Sequence, residues 1–381
     1  MLDPAFLDRV RARLGRGDGL DAAVEGAARE TGLVLGSSAL ETTRQAVRDE
    51  LFGAGPLQSL LDDPEVTDVL VNGPRDVWAE RSGRLRPLDL DLGTEADVRL
   101  LAVRLAAAGG QRLDDAAPTV DARLPDGTRL HAVLPPVAGD GVLLSLRVVR
   151  SRALTIEQLV SSGSLAPVVV PVVRALVARR ANLLISGATG SGKTTLLASL
   201  LSLVPHDERI VVIEEAGELR PDHPHVVRLL ARRANVDGAG RVDLTELVRH
   251  ALRMRPDRIV LGECRGAEVR EVLTALNTGH DGGCATVHAN AAADVPARLE
   301  ALAALAGMSR DAVAAQASSA VDAVVHLRRT GTGLRFVAEV GVVRRGASGA
   351  LEVVDAVRAD PGGTCVTGPG WPALAERLGL G

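Results

Sequence analysis

The stretch Gly187-Ala188-Thr189-Gly190-Ser191-Gly192-Lys193-Thr194 fits the pattern G-x-x-x-x-G-K-[ST] at every fixed position. It follows an apolar run, Asn182 to Ser186, that reads as a buried strand, and it opens a helical segment, Thr194 to Leu201. Strand, glycine loop and helix in that order leave few folds open, because phosphate then sits at the carboxyl edge of a sheet. Glycines let successive N–H groups curl round phosphate oxygens, the helix N-terminus adds partial positive charge, and Thr194 offers a hydroxyl to Mg²⁺. Lys193 is the only lysine in 381 residues, and the rest of the 44 basic residues are arginine. A composition that avoids lysine keeps one where a compact ammonium reaches β- and γ-phosphates. This stretch, with Thr195 after it, is therefore read as a nucleoside-triphosphate site.

The flanking pattern agrees. Arg209 to Ile213, Val226 to Leu230, Arg258 to Gly262 and Gly283 to Val287 read as strands, separated by helical patterns at 243–255, 266–276 and 294–305. Apolar strands alternating with helices predict a mostly parallel sheet covered on both faces. A helix and strands at 321–328, 334–344 and 350–357 follow, then a Gly- and Pro-rich tail from Ala359. Upstream, 151–165 reads as a linker that starts a short helix at Thr155, and Pro167 to Arg180 as a longer helix.

Residues 51–150 carry shorter signals. Strands are expected at Val66–Val71, at Asp76–Glu80 and Leu85–Leu90 about Ser82-Gly83, at Val120–Leu124 and Thr128–Leu134 about Pro125-Asp126-Gly127, and at Val142–Val149. With a helix from Glu95 to Ala108 they predict a small α+β domain. Residues 1–50 show two helical patterns, Leu2 to Leu14 and Ala39 to Leu51, with a loose middle. They read as a helical appendage, for partner binding or simple packing. The expected organisation is 1–50 appendage, 51–150 α+β domain, 151–165 linker, 166–358 P-loop domain and 359–381 tail.

Composition excludes several function classes. Net charge is −4 and the isoelectric point is near 6.1, so no basic field draws the chain to nucleic acid or acidic lipid. Three cysteines with no C-x-x-C pair give neither a disulfide framework nor a structural zinc site. The acidic start, Met1 to Phe6, lacks an apolar core of signal-peptide length, and Leu165 to Val173 is too short to span a bilayer. A cytoplasmic protein is expected, linked to any membrane through partners.

A nucleoside triphosphatase needs a Mg²⁺-side carboxylate and a group that places or deprotonates water. Glu263 ends the Arg258–Gly262 strand and is read as holding Mg²⁺ through water, with Thr194 as the protein's other metal-side residue. Glu214 ends the Arg209–Ile213 strand and is the candidate for orienting or deprotonating water. His288 follows the Gly283–Val287 strand, within reach of a γ-phosphate or a neighbouring carboxylate; His280 lies close by. Arg147 is the leading candidate to reach a neighbouring subunit's nucleotide, with Arg150, Arg123 and Arg129 behind it.

The Walker A stretch at 187–194, the acidic segment at 213–219, the Walker B segment Arg255 to Gly266 and the histidine segment at 277–290 occur in the order of the type II/IV secretion and type IV pilus ATPases. The chain resembles that superfamily, and most of all its tight-adherence (Tad/Flp) pilus branch. Gly53-Ala54-Gly55-Pro56-Leu57, Asp68 to Pro74 and Val120 to Gly127 are similar to the N-terminal domain of that branch. The resemblance runs from about 50 to 330. It implies an α/β fold: a RecA-like P-loop domain with a mostly parallel sheet, preceded by a smaller α+β N-terminal domain. It implies a hexamer with ATP at subunit interfaces and an inner-membrane platform protein as partner; from the residues themselves, ATP and Mg²⁺ are the expected cofactors and Lys193, Glu214, Glu263, His288 and Arg147 the expected catalytic residues. Glu215 stands where the family usually has Asp, Cys264 and Cys284 stand where small or β-branched residues are commoner, and the tetracysteine zinc module of some type II secretion ATPases is missing. Two alternatives remain open on the residues. A helicase or DNA translocase predicts basic channels and aromatic platforms. A nucleotide-switched scaffold predicts binding without turnover.

Overall fold

In a computed structural model, the structure describes residues 3–33, 36–81, 83–148, 153–232 and 240–380. The chain forms two compact units, Met1–Val149 and Arg150–Gly381.

The first unit begins with three helices, Pro4–Leu14, Leu20–Glu30 and Ser37–Phe52. The loose middle expected from sequence is thus corrected: Leu20–Glu30 is a helix, built on alanines whose small side chains let its neighbours approach. Phe6, Val10, Ala23, Val24, Ala27 and Val47 form a core of their own. Six strands follow: β1 Val66–Gly73, β2 Asp76–Arg81, β3 Arg84–Leu88, β4 Thr119–Arg123, β5 Arg129–Val133 and β6 Leu143–Arg147. They form one antiparallel sheet in the order β3-β2-β1-β6-β5-β4. The helix Glu95–Ala108 starts at a reciprocal cap between Thr94 and Asp97 and buries Val98, Leu101, Ala102 and Leu105 in the same core as sheet residues Val69, Val71, Leu130, Leu144 and Leu146. The other face carries a cross-strand row, Glu80, Asp68, Arg147, Arg129 and Arg123.

The second unit is a nine-stranded sheet. Its strands are β7 Leu183–Gly187, β8 Ile210–Glu214, β9 Val226–Leu230, β10 Arg258–Leu261, β11 Cys284–Val287, β12 Ala323–Arg329, β13 Arg335–Arg345, β14 Leu351–Ala359 and β15 Cys365–Thr367. The order is β15-β14-β13-β12-β7-β11-β10-β8-β9, parallel from β12 to β9 and antiparallel from β12 outward through β15. Central strands are buried on both faces, which is why they read as unbroken apolar runs. Leu183 and Ile185 of β7 join one core with Leu176, Leu197 and Leu200; Leu184 between them joins the opposite core with Leu247, Leu273 and Leu299. Helices therefore cover both faces, as the RecA-like reading requires.

Two boundary expectations are corrected. Residues 151–165 are more than a linker: the short helix expected from Thr155 is present at Ile156–Ser161, and Ile156, Leu159 and Leu165 enter the core. Residues 359–381 are more than a tail: β15 extends the sheet, and the helix Trp371–Leu378 buries Leu374 and Leu378. Their glycines mark close approach, since a Cβ at Gly368 would stand 2.5 Å from the Asp355 carbonyl oxygen. Among the described residues, no helix is long and apolar enough to cross a membrane.

Candidate nucleotide site

β7 delivers the chain to the glycine loop, where φ is 152° at Gly187, 70° at Gly190 and 95° at Gly192. A Cβ at Gly187 would stand 2.6 Å from the Leu327 carbonyl oxygen and 2.6 Å from Ser191 Oγ, so neighbouring β12 sets how tightly the loop must turn. The helix Lys193–Leu201 starts directly after Gly192, leaving its first N–H groups open toward the loop. Ala188, Thr189, Gly190 and Thr195 are exposed, Thr194 is half-buried, and Ser191 is buried with its hydroxyl unpartnered. A loop of open donors with an unspent hydroxyl fits a bound phosphate chain.

Lys193 is 7% exposed. Its Nζ donates to the carbonyl oxygens of Gly187 at 3.0 Å and Ala188 at 2.9 Å. Burial pushes its pKa down to about 8; Glu263 opposes the fall and Arg265 adds to it.

Nζ also stands 3.5 Å from Nδ1 of His288, whose Nε2 lies 2.8 Å from Glu263 Oε1. This arrangement suits a neutral imidazole that accepts at Nδ1 and donates at Nε2. Burial, then Lys193, holds the His288 pKa below its ordinary value against the pull of Glu263. Arg265 grips Glu263 from the other side, Nε to Oε1 at 2.6 Å and Nη2 to Oε2 at 2.6 Å. Burial alone would raise the Glu263 pKa, but Arg265, His288 and Lys193 together hold it below the ordinary value. The carboxylate stays charged.

Glu214 differs. It is 6% exposed, and Oε1 accepts from the amides of Glu218 at 2.8 Å and Leu219 at 2.9 Å. Oε2 is buried and has no partner. Burial raises its pKa despite the two amide donors. Gly262 makes room for it, since a Cβ there would stand 2.6 Å from Glu214 Cγ.

Of the expected site residues, Lys193, His288 and Glu263 stand in contact and Glu214 ends the strand beside β10. Arg147 belongs to the first unit, where its Nε donates to Asp68 Oδ1 at 3.0 Å; Arg123 and Arg129 share its cross-strand row. Arg150 lies outside the described residues. His280 bonds the carbonyl of Ala275, in the last turn of the preceding helix Val269–Leu276, at 3.2 Å. Cys264 and Cys284 are buried thiols, and burial pushes Cys284 up to about 12.

Sequence reasoning missed four participants. Arg265 pairs with Glu263 as above. Glu268, 6% exposed, ties down the turn after Glu263 by accepting from the amides of Arg265 at 2.6 Å and Gly266 at 2.8 Å. The spacing Glu263-x-Arg265-Gly266-x-Glu268 was visible, but a carboxylate that folds back on two amides looks like any surface charge. Buried His326 bonds Ser186 Oγ at 2.9 Å beneath the loop, and Arg335 Nε donates to the Gly190 carbonyl at 2.8 Å. Both come from strands far along the chain and had no local signal.

Residues 50–336 match the family described as type II/IV secretion system protein. The chain belongs to that family. A protein of Mycobacterium tuberculosis (strain ATCC 25618 / H37Rv) named for conjugal transfer is 48% identical over 335 residues, covering 86% of this chain and 95% of that protein. The conjugal transfer protein TrbB of Rhizobium radiobacter is 32% identical, over 72% of this chain and 83% of its own. The crystal structure of the pilus retraction motor PilT with bound ADP superposes with a TM-score of 0.54 at 21% identity, over 81% of this chain and 84% of that one. The Legionella pneumophila ATPase DotB gives 0.52 at 20% identity, over 80% of each chain. At such identities the two structures speak for the fold, a RecA-like domain after a smaller N-terminal one. This secretion-family chain is a P-loop ATPase.

Proposed function

We propose that this secretion ATPase hydrolyses ATP as a hexameric motor that drives pilin assembly or protein export through an inner-membrane platform, in a Tad/Flp pilus or a related type II/IV system. The observation that carries the reading is the chain of contacts from Lys193 through His288 to Glu263 at the carboxyl edge of the sheet. It joins the phosphate-binding cation to a carboxylate held ionised, which is what a metal-nucleotide site requires. Loop residues 187–195 would bind the phosphates, with Lys193 on the β- and γ-oxygens. Thr194 and Glu263 would hold Mg²⁺, Glu263 through water, and the ion would supply charge neutralisation on the phosphate oxygens. Octahedral Mg²⁺ takes most of its ligands from phosphates and water, so the absence of a three-residue metal cluster among the described residues is compatible with it.

Glu214 suits the water-side role. Its unpartnered Oε2 can accept a proton, and its raised pKa favours doing so. His288 holds Glu263 in place and feels Lys193, so phosphate arriving at Lys193 would be felt at the carboxylate. Arg147 would complete the site of a neighbouring subunit, with Arg129 and Arg123 beside it in the row.

The deciding experiment is phosphate release by the purified chain and by Lys193→Ala. Loss of at least about a hundredfold in turnover is expected, the scale of removing one charge-stabilising group. Retained turnover would sink the site assignment. Native mass spectrometry reads the hexamer, and mixing Arg147→Ala with Lys193→Ala subunits tests the site shared in trans. Two relatives are named for conjugal transfer, so stimulation of turnover by single-stranded DNA is worth measuring: stimulation would favour the DNA translocase over the pilus reading.

A further inference from the structure

We propose that Arg265 is a positioning residue that moves between two carboxylates, resting on Glu263 without nucleotide and passing to Glu215 when the divalent cation arrives. The inference rests on the reading of Glu263 as the Mg²⁺-side acid. Strands β8 and β10 run parallel with Ile213 opposite Leu261, and each is followed two residues later by a glutamate, Glu215 and Glu263. Arg265 spans the two. Its Nε and Nη2 take both oxygens of Glu263, each at 2.6 Å, while its third nitrogen, Nη1, stands 3.6 Å from Glu215 Oε2.

The environment permits the motion. The side chains of Arg265 and Glu215 are 52% and 54% exposed, whereas that of Glu263 is 25% exposed and also bound by His288. The backbone at the pivot is fixed. Glu268 holds the amides of Arg265 and Gly266, and Cys264 N donates to the Thr286 carbonyl at 2.8 Å. Rotation of one side chain about an anchored turn therefore completes the transfer.

Electrostatics supplies the reason for it. Glu263 already carries a bidentate guanidinium and lies near Lys193. A divalent ion served by the same carboxylate would face that guanidinium with like charge, and repulsion between close charges in a partly buried site is large. Glu215 offers the displaced cation a solvated partner of opposite charge. Arg265 thereby aims Glu263 before metal binding and yields it afterwards.

The test uses the full chain, a fluorescent ADP analogue and MgCl₂, and reads the Mg²⁺ concentration giving half-maximal nucleotide binding, with no turnover involved. Glu215→Gln removes the receiving carboxylate and should raise that midpoint roughly two- to fivefold, the scale of one exposed ion pair. Arg265→Ala removes the competitor and should lower it by a similar factor. The double variant should match Arg265→Ala alone, because Glu215 matters only through Arg265; Arg265→Lys, which cannot fork onto two oxygens, should fall between. An unchanged midpoint in Glu215→Gln, or effects that simply add in the double variant, would overturn the relay. Glu263→Gln separates the two readings. If it raises the midpoint while Glu215→Gln does not, the relay fails and the metal-side assignment stands; if it leaves the midpoint unchanged, the assignment itself fails.

Discussion

Glu214 and Glu263 are the same residue type at the ends of paired parallel strands, yet their surroundings drive them apart. Burial acts first on both, and in both it opposes the charged form. Around Glu263, Arg265, His288 and Lys193 outweigh it, and the carboxylate stays ionised. Around Glu214 two backbone amides, both on one oxygen, and the more weakly acting Arg220 answer, Glu218 adds to the rise, and burial prevails. Position on a strand end thus does not set the charge state; the cations held against the carboxylate do. Two carboxyls separated in this way are the usual basis for dividing one site between an anion and a base.

Replacing each acid by its amide strains this division most. Glu214→Gln should lower turnover about a hundredfold or more, the range for a lost general base, while Mg²⁺-dependent ADP binding stays near that of the parent chain. Glu263→Gln should lower turnover comparably and weaken the Mg²⁺ dependence of binding as well. Steady-state phosphate release and fluorescent ADP titration distinguish them. If both variants lose metal-dependent binding equally, the two acids share one role and the contrast falls.

A smaller effect is expected from Gly262→Ala, which touches one acid without changing either. The added Cβ would stand 2.6 Å from Glu214 Cγ and 3.2 Å from its Oε1, so the carboxyl must leave its two amide donors. Misplacing a catalytic group by about an ångström costs up to about a hundredfold, and partial relaxation should leave roughly a tenfold fall in kcat with KM little changed. An unchanged kcat would mean that the position of Glu214 does not matter.

Much of this was legible in the chain. The glycine loop and the central strands follow from local rules, because backbone angles and unbroken apolar runs are written residue by residue. Glu214, Glu263 and His288 were named from the strand ends, and the structure puts His288 against Glu263 and Glu214 on the neighbouring strand. What escaped depends on contacts distant in sequence. Asn182 illustrates this: buried at the start of β7, it donates to the Ala320 carbonyl at 2.8 Å and accepts from the Gly283 amide at 3.0 Å, tying three segments together. The helix Trp371–Leu378 was missed because the Gly368-Pro369-Gly370 turn before it reads as a loose tail until Asp355 is seen beside it. The arginine candidates stayed ambiguous for a compositional reason. With arginine almost the sole basic residue, Arg147 and Arg265 look alike in sequence, and only the carboxylates they meet tell them apart.

The smallest expected effect is on stability without nucleotide, and here the two acids should differ in sign. Glu214 has its folded pKa raised, so the unfolded chain ionises first and the folded state loses stability as pH climbs from the ordinary glutamate value, about 4.3, through the raised one. Glu263 has its folded pKa lowered, so its contribution is present above the ordinary value and is lost as pH falls through the lowered one. Above its raised pKa, Glu214→Gln removes a buried, half-satisfied charge and should raise the melting temperature by about 2–4 °C, equivalent to ~1 kcal/mol in a domain of this size. Glu263→Gln leaves Arg265 and Lys193 without their shared anion and should lower it by a similar amount. The Glu214→Gln gain should fade as pH is lowered toward the ordinary glutamate value, where the native carboxyl is already protonated. Scanning calorimetry from pH 5 upward reads both effects. If the two variants shift in the same direction above the raised Glu214 pKa, the cations around Glu263 are not what separates the pair, and the charged state of Glu263 must rest on contacts supplied only once nucleotide is bound.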